Sequence, residues 1–291
     1  MTSSALIITD LEVLFYENDF KLSDINLDIK TGTITGLIGR NGAGKTTLLK
    51  AIMGLQKYQK GTITYFETDK SLKNPLIKER LSFTSNALTF NPRFSPDQIA
   101  DAVSPFYKNF KHDLFQKYLE LFHLNEDQRL ANFSTGMQRK FQVLLTISCN
   151  PDLLILDEPT ANLDTVSKDD ILDMVMDFMQ DEGKSILFST NLTGDVERIA
   201  DYVAFMENGR IIFSEEKDAL LEQYRLFHCP LEQMTPEFKK NVIGMKKTSF
   251  GYEGLISAGY LTNYGIRTDE MRFVRAGFDD FMRYFSKEDA L

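Results

Sequence analysis

Cysteine and histidine are scarce in this chain. Cys149 and Cys229 are its two thiols, and His112, His123 and His228 are its three imidazoles, in 291 residues. Thiols so few and so far apart exclude a disulfide scaffold and a zinc knuckle. The histidines lack the close spacing of metal ligands. Two isolated thiols fit a reducing compartment. No window reaches the roughly 18–20 uncharged apolar residues that a membrane span needs. The opening stretch from Met1 to Asp10 has neither the basic start nor the apolar length of a signal peptide. The expectation is a cytoplasmic chain with no span of its own, peripheral to a membrane only through a partner. Positive charge is short as well, with 33 Lys+Arg against 42 Asp+Glu and a net charge of −9. Coating DNA or RNA requires clustered positive charge to displace phosphate counterions, so the balance argues against a nucleic-acid partner. Internal repeats and low-complexity tracts are absent. The remainder is ordinary globular material, 43% hydrophobic and 26% charged, long enough for about two domains of roughly 100–150 residues.

Periodicity divides the chain into three textures. Leu11 to Phe15, Ile25 to Ile29 and Thr33 to Ile38 alternate apolar and polar residues and are expected as strands. Leu153 to Leu156 and Ser185 to Phe188 are short apolar runs of the kind buried in parallel sheets. Between them, Lys168 to Gln180 carries apolar residues at helical spacing. Strand, helix, strand implies a parallel α/β sheet. From about Ser95 to Asn150 strands vanish, and Leu114, Phe115, Tyr118, Leu119 and Phe122 mark a helical insert. Past residue 216 the pattern starts helically and passes Pro230 and Pro236. It then turns strand-like from Phe250 to Ile266, and ends in a helix with Phe278, Phe281, Met282 and Phe285 on one face. The expected organisation is therefore an α/β core over residues 1–216, with its helical part at about 87–150, and an accessory α+β segment over 217–291.

The third strand runs directly into Gly39-Arg40-Asn41-Gly42-Ala43-Gly44-Lys45-Thr46-Thr47, which has the Gly-x4-Gly-Lys-Thr spacing of a phosphate-binding loop. Glycines let such a backbone wrap an anion with its N–H groups inward. The helix that follows presents its positive end to the same phosphates. Lys45 is placed to neutralise β- and γ-phosphate oxygens, and the Thr46 hydroxyl to ligate Mg²⁺. Leu153-Leu-Ile-Leu-Asp157-Glu158 is an apolar strand ending in two carboxylates. Asp157 at the strand end suits a metal's hydration shell, and Glu158 suits the proton of an attacking water. The loop alone does not separate ATPases, GTPases and kinases.

Two further segments separate them. Phe133-Ser134-Thr135-Gly136-Met137 precedes an apolar helix, and Pro159-Thr-Ala-Asn-Leu-Asp164 follows the carboxylate pair. With the two motifs above, in this order over about residues 10–215, the chain resembles the ATP-binding subunit of ABC transporters. The looser signature segment resembles that of ABC-2-type exporter ATPases, and the C-terminal accessory segment resembles in size the tails of the YtrB-like and lantibiotic-exporter branch. The resemblance implies a P-loop NTPase (RecA-like) core with an N-terminal antiparallel β subdomain, ATP and Mg²⁺ as ligands, and a separate transmembrane permease. It also implies a second cassette, in a homodimer or a heterodimer. It makes Gly39 to Thr47 the Walker A loop, and Ser134 and Gly136 contacts to the γ-phosphate of the opposite subunit. Asp164 belongs to the D-loop, and Tyr16, or else Phe15 or Phe20, is the ring that stacks on adenine.

At two positions the chain departs from that family. Asn191 stands where the family has its switch histidine, and Asn86 where it has a glutamine that serves nucleotide and metal. Asparagine can donate to a γ-phosphate but carries no titrating proton, and at position 86 it is one methylene short. The expectation is retained binding with slow or partner-dependent hydrolysis, so a soluble regulatory ATPase of the same class stands as the alternative to an exporter motor. A translation or repair ATPase is disfavoured by the single P-loop and the lack of a sustained heptad run. A GTPase is disfavoured by the lack of an Asn-Lys-x-Asp motif.

Overall fold

The computed structural model describes residues 3–15, 20–67, 72–85, 90–264 and 271–285. It divides into two compact units, Met1–Ser214 and Glu215–Leu291.

In the first unit, β1 (Ser4–Leu14) pairs antiparallel with β2 (Lys21–Lys30), Ile8 opposite Leu27 and Leu11 opposite Ile25. Every second residue of β2 from Ile25 to Ile29 faces inward, the period-two pattern of a half-buried strand. β3 (Ile34–Ile38) is buried along its whole length and leads through the glycine loop into α1 (Lys45–Ile52). β4 (Lys60–Tyr65) returns to β1 and completes a three-stranded antiparallel sheet in the order β2-β1-β4. α2 (Pro75–Glu79), capped by the Asn74 side chain, precedes β5 (Leu81–Thr84).

The helical insert then follows. α3 (Pro96–Val103) starts with a capping box between Ser95 and Gln98 and with proline in its first turn, where the missing N–H costs nothing. α4 (His112–Leu121) buries Phe115, Tyr118 and Leu119, and Phe115 meets Phe141 of α5 (Thr135–Ser148) edge-on. The chain re-enters the sheet at β6 (Leu153–Asp157), crosses by α6 (Thr165–Phe178) to β7 (Ser185–Thr190), and continues through α7 (Thr193–Ile199), β8 (Tyr202–Glu207) and β9 (Arg210–Glu216). The six strands lie in the order β5-β6-β7-β3-β8-β9. β5, β6, β7, β3 and β8 run parallel, so the carboxyl ends of β3, β6 and β7 share one edge. In open parallel sheets that edge is where ligands bind.

The second unit comprises α8 (Lys217–Gln223), β10 (Tyr224–Cys229), α9 (Pro236–Lys240), β11 (Val242–Thr248), β12 (Gly251–Ser257), α10 (Ala258–Tyr264), β13 (Arg272–Arg275) and α11 (Phe278–Tyr284). Its sheet is antiparallel in the order β11-β12-β10-β13, around Phe227, Cys229, Phe238 and Ile256. The strand-like expectation for Phe250 to Ile266 is corrected here: the strand stops at Ser257, and a helix begins at Ala258. Tyr260 and Leu261 pack on the Phe227 cluster, so tertiary burial overrides the weak helix propensity of Gly259. On α11, Phe278 and Phe281 are buried as their spacing implies. The third buried ring is Tyr284, whose hydroxyl donates to Glu253 at 2.6 Å.

Candidate functional site

The glycine loop is shaped by close approach. A Cβ on Gly39 would lie 2.2 Å from the Met206 carbonyl oxygen of β8, so only glycine fits against that strand. Gly42 and Gly44 hold φ of +85° and +110°, a region that a Cβ penalises. The loop is tied down at Ala43, whose N–H donates to the Arg40 carbonyl at 3.1 Å and whose carbonyl accepts from Gly209 N–H at 2.9 Å. A cavity of about 560 Å³ opens above it, walled by Phe20, Asn41, Gly42, Gly44, Lys45, Thr46, Thr47 and Glu158.

Lys45 is 4% exposed. Its ammonium donates to the carbonyls of Gly39 at 2.8 Å and Arg40 at 3.2 Å, and lies 3.6 Å from Glu158 Oε1. Burial pushes it below the ordinary lysine range, while the carboxylates of Glu158, Asp157 and Glu207 oppose that shift. Thr46 Oγ1 donates to both Asp157 oxygens, at 3.1 and 2.9 Å, and Ser189 Oγ donates to Asp157 Oδ1 at 2.7 Å. Asp157 is thus a buried carboxylate held by two hydroxyls on the sheet's carboxyl edge. Glu158 follows with φ of +49°, its N–H donating to Ser189 at 3.1 Å to the carbonyl and 3.0 Å to the hydroxyl. A non-glycine residue in this region is strained and persists where its surroundings over-determine it. Here that turn aims the Glu158 side chain into the cavity.

Asn191, just past β7, donates from Nδ2 to Asn41 Oδ1 at 3.0 Å, joining the strand end to the crest of the glycine loop. The structure therefore gathers Gly39 to Thr47, Asp157, Glu158 and Asn191 at one edge. It sets Ser134, Gly136 and Asp164 apart, and none of these three walls the cavity. Ser134 caps α5, accepting from Met137 N–H at 3.2 Å, and Asp164 caps α6, accepting from Ser167 N–H at 2.9 Å. That backbone bond, with the Ser167 hydroxyl, holds the exposed Asp164 carboxyl below its usual range. Gly136 backs onto the same place, a Cβ there falling 2.7 Å from Ser167 Oγ. Tyr16 and Asn86 lie outside the described residues. Phe20 supplies the aromatic wall, and Phe15 stands behind it with ring centroids 6.1 Å apart. Sequence reasoning missed Ser189, although a serine near the carboxyl end of a buried apolar strand is a signal of that edge.

Residues 22–161 match the model of the ABC transporter family. The chain carries an ABC transporter ATP-binding domain. It is 29% identical over 203 residues to the ABC transporter ATP-binding protein YtrB of Bacillus subtilis (strain 168), covering 70% of this chain and 69% of YtrB. It is 27% identical over 218 residues to the lantibiotic transport ATP-binding protein SrtF of Streptococcus pyogenes, covering 71% and 89%. A solved ATP-binding subunit of an ABC transporter superposes with a TM-score of 0.68 at 23% identity, covering 76% of this chain and 93% of that one, which shows the shared fold. Domains of this family bind ATP and hydrolyse it. The matches to these two relatives cover 70% and 71% of this chain and leave the rest unmatched.

Proposed function

We propose that this chain is the ATP-hydrolysing subunit of an exporter, driving separate transmembrane permease subunits from the cytoplasmic face of the membrane as one of a pair of cassettes. The observation that carries it is the convergence of Lys45, Thr46 and Glu158 on one cavity, with Asp157 held directly behind Thr46. Triphosphate oxygens entering the loop would draw the Lys45 ammonium from the Gly39 and Arg40 carbonyls. The loop N–H groups and the start of α1 would take the rest of the charge. Glu158 would orient the attacking water and accept its proton. Asn191 would exchange its bond to Asn41 for one to the γ-phosphate.

A divalent cation fits the donor set. Thr46 and Asp157 offer hard oxygen ligands, and no group of three His, Cys, Asp or Glu side chains able to hold a metal occurs among the described residues. Mg²⁺ is characteristically held by one or two protein oxygens together with phosphate and water. When bound, it would neutralise charge on the β- and γ-oxygens. Among the described residues no helix is long and apolar enough to cross a membrane, which supports a permease on other chains. The outward-turned signature segment at Ser134 supports a second cassette. A regulatory ATPase with weak turnover is the second reading, favoured by the asparagine at position 191.

The test is flux. Reconstituted with a candidate permease from a neighbouring gene, the protein is expected to move cargo out of the compartment that holds the ATP. Export must cease with Lys45→Ala while assembly persists. Cargo movement that ignores ATP, or that runs only inward, refutes the proposal. ATP turnover without any permease-dependent stimulation favours the regulatory reading.

A further inference from the structure

We infer that Asp195, a carboxylate on the first turn of α7, is a positioning residue that locks the strained turn at Glu158 to the strand end at Asn191. Asp195 is 0% exposed. It accepts from the Thr160 hydroxyl, accepts from Thr190 Oγ1 at 3.3 Å, and pairs through its other oxygen with Lys168 Nζ at 2.5 Å. Each partner belongs to a different part of the cavity's support. Thr160 is two residues past Glu158, Thr190 is the residue before Asn191, and Lys168 sits one turn into the helix that Asp164 caps.

The need for such a lock is visible in the backbone. Glu158 holds φ of +49° and Asn162 φ of +59° within one short segment. Residues in sparsely populated conformations persist only where neighbours over-determine them. Ser189 fixes the amino side of that segment by taking the Glu158 N–H, and Asp195 fixes the side beyond it through Thr160. Because the same carboxylate takes Thr190, whose hydroxyl also accepts Leu192 N–H at 2.9 Å, the loop bearing Asn191 is set from the same point. A fully buried carboxylate is tolerated only when paired and hydrogen-bonded. Lys168 supplies the charge and the two threonines supply the donors. The water-orienting carboxylate and Asn191 are thereby held in register by a group that touches neither of them.

This inference rests on the ATPase reading, and its test separates the two. In the full chain, Asp195→Asn is expected to lower kcat by about 10- to 100-fold, the scale of a small misplacement of reacting groups. KM and Mg·ATP affinity should stay within about twofold, because α1 and the glycine loop make no bond to Asp195. Lys168→Met and Thr160→Val should each lower kcat with KM unchanged. Neither should worsen Asp195→Asn when combined with it, because all three act through one carboxylate. Asp195→Glu should recover part of the rate. Wild-type kcat in folded Asp195→Asn would overturn the inference, and so would additive loss in the double variants or parallel falls in kcat and ATP affinity. If Asp195→Asn does not fold, Lys168→Met decides, since its half-buried ammonium is removable without emptying the core. Absence of ATP turnover in the parent chain, both alone and with its permease, would instead refute the ATPase reading.

Discussion

Lys45 carries the sharpest consequence at the scale of single residues. Its ammonium is buried against backbone carbonyls, so Lys45→Ala should remove the charge that meets the phosphates and abolish measurable Mg·ATP binding by calorimetry. Undiminished affinity would refute the phosphate loop. The same burial makes a pH prediction. The folded-state lysine titrates below its ordinary value of 10.5. Between the folded and unfolded values the unfolded chain binds the extra proton, so this group's contribution makes the nucleotide-free protein more stable as pH rises there. ATP binding requires the charged form and should weaken over the same window, with proton uptake on binding visible as a buffer-dependent heat. Asn191 makes the opposite kind of prediction, because its amide does not titrate. The turnover profile should lack an imidazole step near about pH 6.5. Asn191→His should introduce that step and raise the basal rate. Asn191→Ala should lower the rate by about 10²–10³-fold, the usual value of one donor to developing charge. An unchanged rate in Asn191→Ala would make the Asn41 bond incidental.

The elements place these residues, and the caps of α5 and α6 show how tightly. Gly136 stands where a Cβ would meet Ser167 Oγ at 2.7 Å but Ser167 Cβ at 3.4 Å. Gly136→Ala should therefore cost about 1–3 kcal/mol of stability by overpacking. Adding Ser167→Ala should return most of it. A denaturation midpoint for Gly136→Ala equal to the parent's would show that the two helix starts slide apart freely. How much was legible beforehand follows from the same elements. β6 and β7 were readable because buried parallel strands are continuous apolar runs, and β3 and α1 because a glycine loop has few alternative uses, whereas β5 and β8 were not read as strands. The insert was readable because α4 repeats its apolar residues at helical spacing. In the accessory unit β10, β11 and β13 escaped notice. Their residues are largely half-buried, so lysines and arginines interrupt the alternation. α10 was misread because packing of Tyr260 and Leu261, not propensity, makes it a helix. Within the site, the glycine loop and the Asp157-Glu158 pair were legible by spacing. Ser189 and Asp195 were not, because a residue that holds another in place is defined by three-dimensional proximity alone.

For the whole molecule, the cavity is one-sided. Phe20, the glycine loop and Glu158 wall it from below and beside, whereas Ser134 and Gly136, which the family resemblance assigns to γ-phosphate, sit at the start of α5 and wall none of it. Ser134 is exposed and spends its hydroxyl on its own helix end. On the proposed pairing one chain would offer half of two sites, and a second cassette turned head to tail would complete both, as a symmetric pair requires. ATP should then act as the adhesive, and the pair should part when the γ-phosphate is lost. Glu158→Gln removes the proton acceptor but leaves Lys45, Thr46 and Asp157, so it should lower turnover by about 10²-fold or more while ATP binding persists. With hydrolysis blocked, the ATP-bound pair should accumulate, doubling the mass seen by light scattering when Mg·ATP is added. Ser134→Arg in the same background should prevent the doubling, because it crowds the facing γ-phosphate without touching the chain's own cavity. ATP-saturated Glu158→Gln that stays at single mass, both alone and when mixed with a second cassette encoded beside it, would exclude the paired arrangement. Doubling only in the mixture would make the pair a heterodimer and leave the shared-site geometry intact.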